Sequence, residues 1–215
     1  TFDRQVSQAV QPTVVAGSST ATPMPQGAAI GGTVMNLTTG QPQRNLPLVL
    51  LGYETRSTQP VYSSETVTDD EGNYRFENLP VNDGRMYIVQ TSFQGVGYLS
   101  SPVEMRELLN DGLVNRPIET YDSSEDMNHL QVSRLHIFLD FAAEDSLQVV
   151  EMFSINNPQS VTVRSGVDGH PVLQFVLPEG ASDLRFDENT SSNRYMMMPN
   201  GFGVLEPILP GPGYQ

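Results

Sequence analysis

The 215-residue chain contains no cysteine, no lysine and no tryptophan. Without thiols it has no disulfides, no thiolate metal ligands and no cysteine nucleophile. Its 11 basic residues are all arginine, which excludes a Schiff base, a Walker-A phosphate loop and a lysine isopeptide cross-link. No apolar run approaches the roughly 20 residues of a membrane-spanning helix. Positive charge is scarce: 25 acids against 11 bases give a formal net charge of -14, which argues against nucleic acid as a partner, because phosphate binding needs a positive face.

What is abundant is turn chemistry. Eighteen glycines and 16 prolines punctuate short apolar stretches, a pattern of strands and not of long helices. The length suggests two domains. The expected fold class is all-β: two β-sandwich domains in tandem, at 28–105 and 130–215, joined by a linker at 106–129 and preceded by an extended N-terminal tail at 1–27. Within the first domain AIGGTVMNL, NLPLVLLGYE, SETVT, NYRFENLP, RMYIVQTSF and GVGYLSSPVEM read as strands, separated by the turns TTGQPQ, DDEG and VNDG.

The first domain resembles the carboxypeptidase regulatory-like family, within the wider transthyretin-like and collagen-adhesin B-type group. Gly32-Thr33-Val34, Thr39-Gly40-Gln41-Pro42, Leu48-Val49-Leu50 and the run from Thr68 to Pro80 carry the resemblance. The last is the most specific: an Asp-Glu-Gly turn joins two strands, Tyr74 and Phe76 share a face, and Leu79-Pro80 ends the strand. The resemblance covers about a third of the chain and implies a seven-stranded sandwich that serves as a stalk or accessory module, not a catalyst.

In the linker, RELLNDGLVNR is read as one short helical turn, and RPIETYDSSEDMNH as an edge strand followed by an acidic turn. Beyond it, LQVSRLHIFLDF alternates cleanly, with Leu135, Ile137, Leu139 and Phe141 on one face and Arg134, His136 and Asp140 on the other. LQVVEMFSI, SVTVR, PVLQFVLP, ASDLRFDE, NRYMMM and GFGVLEPIL complete the expected second sandwich. This half is similar to domains that follow regulatory-like modules in secreted or membrane-anchored prokaryotic proteins.

No reactive constellation emerges, so no catalytic residue, metal site or cofactor is expected. His129, His136 and His170 lack zinc-motif spacing. There is no GxSxG turn and no recognisable glycosidase carboxylate pair. Asp69 to Asn73 fails the calcium-loop pattern, because the sixth position is Tyr74 instead of glycine. Asp122 to Asp126 is a looser acidic cluster, either a solvated loop or a calcium site at an interdomain joint. Met196-Met197-Met198 would alternate faces and fill space. Asn36 and Asn189 open glycosylation sequons, which chance in a Ser/Thr-rich chain also explains.

The tail points to function. Its even positions include Phe2, Val6, Val10 and Val14, the period of a strand with one buried face; Pro12 and Val14-Val15 argue against a helix. A segment of 17 extended residues reaches about 55 Å, far enough to enter a neighbouring subunit. The expected function is a structural subunit of an extracellular filament or surface assembly. Phe2, Val6, Val10 and Val14 would be donated to Leu135, Ile137, Leu139 and Phe175 of the next copy. The first residue, threonine, fits a mature exported chain. The PGPG segment near the end reads as a turn into a strand that the chain does not reach, leaving an open edge to be filled. The expected partner is the chain itself, with glycans possible at the sequons and no membrane span. The alternative is a carbohydrate-binding or cell-wall-binding accessory module of a surface-anchored protein.

Overall fold

The computed structural model describes residues 28–81, 84–143, 146–186 and 194–214; the tail at 1–27 lies outside them. The described chain is all-β, with one short helix.

Two sheets pack face to face in the first half. Strand β1 (Ala29–Asn36) is the axis of one. Its first residues pair antiparallel with β5 (Asn73–Phe76) and parallel with β9 (Leu113–Asn115). Its last residues pair with β2 (Gln41–Pro42) and with β10 (Ile118–Thr120), the latter again parallel. Between β9 and β10 the backbone at Arg116 crosses directly over Gly32, where a Cβ would collide with the Arg116 carbonyl. The Tyr74 hydroxyl donates to that same carbonyl, and burial pushes its pKa up. The second sheet runs β4 (Tyr62–Val67), β3 (Pro47–Glu54), β6 (Arg85–Phe93), β7 (Val96–Leu99), with β8 (Val103–Glu104) also on β6.

Alternation makes each strand two-faced, and the inner faces meet. Ile30 and Val34 of β1, with Tyr74 and Phe76 of β5, oppose Leu48 and Leu50 of β3 and Tyr87 and Val89 of β6. The turn before β5 is held by Asp69, whose carboxylate accepts from the backbone N–H of Glu71 and Asn73. Gly72 closes it at φ 78°.

The expected linker divides. Helix α1 (Met105–Asp111), β9 and β10 belong to the first unit, because Met105, Leu108, Val114 and Ile118 are buried in its core. Sequence pattern places a helical turn here but cannot reveal two parallel strands returning to β1, since parallel partners are distant in sequence.

The second half is sparser. Strand β11 (Ser123–Ser124) pairs with β14 (Thr162–Val163). A long hairpin of β12 (Gln131–Ala143) and β13 (Ser146–Asn157) is joined at its base by β18 (Gly211–Tyr214). A small sheet runs β15 (Leu173–Val176), β17 (Gly201–Val204), β16 (Tyr195–Met198). Only Ile155, Val163, Val172 and Ile208 form its buried cluster. Two expectations change here. Residues 181–186 of ASDLRFDE form no strand, and Phe186 instead stacks on Tyr195 at 4.1 Å between ring centroids. The PGPG stretch lies at the start of a strand, β18, paired with Ile155 and Asn157.

Candidate functional site: the β-hairpin arm and its base

β12 and β13 are rich in β-branched, leucine and aromatic residues, which favour extended backbone. Their register sets Leu135 opposite Phe153, Ile137 opposite Glu151 and Leu139 opposite Val149, and directly opposed residues share a face. This first face carries Leu135, Ile137 and Leu139 together, as alternation requires, and continues to Leu147. The second face holds Arg134, His136, Phe138 and Asp140 opposite Ser154, Met152, Val150 and Gln148. It is polar only in part: Phe138, Val150 and Met152 are exposed on it.

The arm projects from its base with little cover. Leu135 is 47% exposed, Leu139 54%, and Phe141 near the tip 74%. At the base the same first face becomes interior: Phe153 is half-buried and Ile155 buried. The ring of Phe153 lies 4.9 Å from Phe175, and Phe175 stacks on Phe202 at 4.8 Å. Phe202 in turn meets Phe186 and Tyr195 edge-on. Phe175 therefore sits against the ring opposite Leu135, so the four expected acceptor residues share one continuous apolar surface. Met197 extends it, since the register places Met197, Phe202 and Phe175 side by side. Asn157 anchors the base, its amide donating to the carbonyls of Val161 and Ile208. Among the described residues β12 pairs only with β13, and β18 covers β13 only at Ile155 to Asn157. The outer edge of β12 and most of that of β13 thus have no strand beside them.

The acidic segment has a structural role. Asp122 Oδ1 accepts from Asn36 Nδ2 at 2.8 Å and from Gln94 Nε2 at 3.1 Å, tying the two halves together. The Tyr98 hydroxyl adds bonds to the Tyr121 carbonyl and the Thr162 hydroxyl. Asp126 caps the 3-10 turn Met127–His129, and hydrogen bonds from Asn128 hold its pKa below the usual carboxylate value. Among the described residues no three His, Asp or Glu side chains converge on a metal-sized site. His129 lies in that turn, His136 on the arm and His170 in a loop.

Asn36 is only 3% exposed, and its amide nitrogen is the one bonded to Asp122, so the folded state has no room for a glycan there. Asn189 and the donor residues Phe2, Val6, Val10 and Val14 lie outside the described residues. Two features escaped sequence reading. One is the apolar part of the arm's second face, for which Phe138 inside the polar parity was the available signal. The other is the junction of Asn36, Gln94 and Asp122, which has no local signature. A wide-open depression of about 580 Å³ elsewhere is lined by Gly31, Thr33, Asp69, Asn73 and Arg75 among others. No family model matches the chain, and no curated protein matches it.

Proposed function

We propose that the chain is an exported structural subunit that assembles with copies of itself by strand addition, residues 1–17 of one copy pairing with the arm of the next. The first unit serves as a regulatory-like stalk module. The carrying observation is the edge of β12: a 13-residue strand whose outer side has no strand paired with it among the described residues. Folded proteins normally cover or disrupt such an edge, because it templates pairing with another chain.

The donor segment suits that edge. It has period two, and its length exceeds that of the edge strand. Its point of attachment is compatible with pairing between copies. Residues 1–27 enter the fold at Ala28, while the other end of β1, at Asn36, touches the second half through Asp122. The strand between them spans about 26 Å at 3.3 Å per residue. The ten residues left as a connector, 18–27, reach at most about 35 Å. Donor and acceptor thus leave opposite ends of the first unit, an arrangement that propagates head to tail into an open polymer. Backbone pairing along the edge, repeated along the polymer, holds the donor, and its apolar side chains extend the apolar face of the arm.

The test compares the native chain with a Val6→Asp/Val10→Asp variant by electron microscopy and light scattering. The native chain forms large particles; the variant, with unchanged circular dichroism, does not. Identical particles from both would refute strand exchange through this tail, and a native chain that stays monomeric would return the assignment to a binding or accessory module.

A further inference from the structure

Adding a strand to an edge satisfies backbone groups but leaves both faces of a ribbon as bare as before. The arm's first face therefore needs a second, separate cover. We propose that it is the arm of another copy, stacked face to face, so that the row of Leu135, Ile137, Leu139, Leu147 and Val149 in one ribbon packs on the same row in the other. This inference rests on the reading of the chain as self-associating, but it does not depend on the tail.

Four observations select this occupant. First, the face is an unfinished core. The small sheet β15–β17–β16 covers it at Phe153 and stops there, while the apolar row continues outward. The missing layer is one sheet thick, the spacing at which ribbons stack, about 10 Å. Second, charge favours it. Two copies of a chain at -14 repel each other, and on this face Glu151 is the only charged residue in the paired register from Leu135 to Leu139. Third, Leu135, Ile137, Leu139, Leu147 and Val149, with Phe141 farther out, are each about half exposed or more, a contiguous apolar patch of the kind that marks a protein–protein contact. Fourth, an apolar row on a two-stranded ribbon can pack on itself: stacked antiparallel about a two-fold axis, Ile137 and Leu139 lie near the centre and Leu135 of each ribbon meets the outer end of the row in the other.

The experiment uses the full chain carrying Val6→Asp/Val10→Asp, so that tail exchange is blocked, and follows its mass by sedimentation velocity. Dimers are expected, and adding Ile137→Asp/Leu139→Asp is expected to weaken them about 100-fold or more. Because the native chain has no cysteine, Leu139→Cys gives a direct reading: oxidation should link copies through the arm, whereas Val67→Cys, exposed on β4 of the first unit, should not. Dimers that survive the arm substitutions, or equal cross-linking at Val67, would overturn arm stacking and leave tail-driven assembly standing. Arm-dependent dimers in a chain that never builds larger particles would support stacking and remove the tail reading. A monomer that floats with phosphatidylcholine vesicles through the arm would overturn the proposal in favour of a lipid surface.

Discussion

The two halves of the molecule use the same strand chemistry and reach opposite degrees of closure. NLPLVLLGYE and LHIFLDF both alternate and both set leucines on one face. In β3 that face is capped by a second sheet, and Leu48 and Leu50 are fully buried. In β12 no second sheet arrives among the described residues, and Leu135, Ile137 and Leu139 stay about half exposed. Among the described residues, eighteen form the first core and four the second. Alternation creates a sticky face, but burial needs a partner layer. An apolar face without a layer is the feature on which the proposed self-assembly rests.

The sharpest way to break this comparison is to open the complete core. Leu48→Ala should destabilise the first unit by about 3–4 kcal/mol through lost burial and a cavity that the surrounding sheets cannot close. A thermal melt read by circular dichroism would show it, and a change below about 1 kcal/mol would mean that the core is less tightly packed than its burial implies.

A smaller effect is expected in the incomplete core. Phe175→Ala removes a half-buried ring that stacks on Phe202 and touches Phe153. It should cost about 2–3 kcal/mol, and the loss should be local. Hydrogen exchange should accelerate in β15, β17 and the base of β13 while β3 and β6 remain protected. Uniform acceleration would show that the two halves unfold as one unit.

The smallest effect concerns pH, and it falls on the first half. Hydrogen bonds from the backbone and side chain of Asn73, followed by the backbone of Glu71, hold Asp69 below its ordinary value of 3.8. A depressed carboxylate contributes stability that is complete above the unfolded-state pKa and is lost as pH falls through the folded one. Lowering the pH from 5 to about 2 should therefore loosen the turn into β5, and Asp69→Asn should remove part of that dependence. Titration of the Asp69 carboxyl by NMR at or above 3.8 would contradict the turn geometry.

Much of the molecule was legible because its signals are local. The turn from Asp69 to Asn73, the strands it joins and the helical turn at Met105–Asp111 follow from residue types a few positions apart. The common face of Leu135, Ile137 and Leu139 follows from period two alone. What misled sequence reading depended on distant pairing. Residues 106–129 read as a linker with a helical turn and one edge strand; that β9 and β10 both pair with β1 was not legible, because β1 lies some 80 positions earlier. Residues 181–186 have a strand's pattern, but Phe186 is drawn onto Tyr195 and Phe202.

The sequence by itself determined the all-β class, the turns and which side of each strand is apolar, since these depend only on neighbouring residues and on the alternation of an extended backbone. It also determined which chemistries are absent, through missing cysteine and lysine. Only the tertiary structure decided which apolar faces find a cover, why Asn36 is sealed under Asp122 and inaccessible, and that among the described residues the arm has no covering layer beyond Phe153. Coverage is a contact between segments far apart in the chain, and no local pattern records whether the second layer exists.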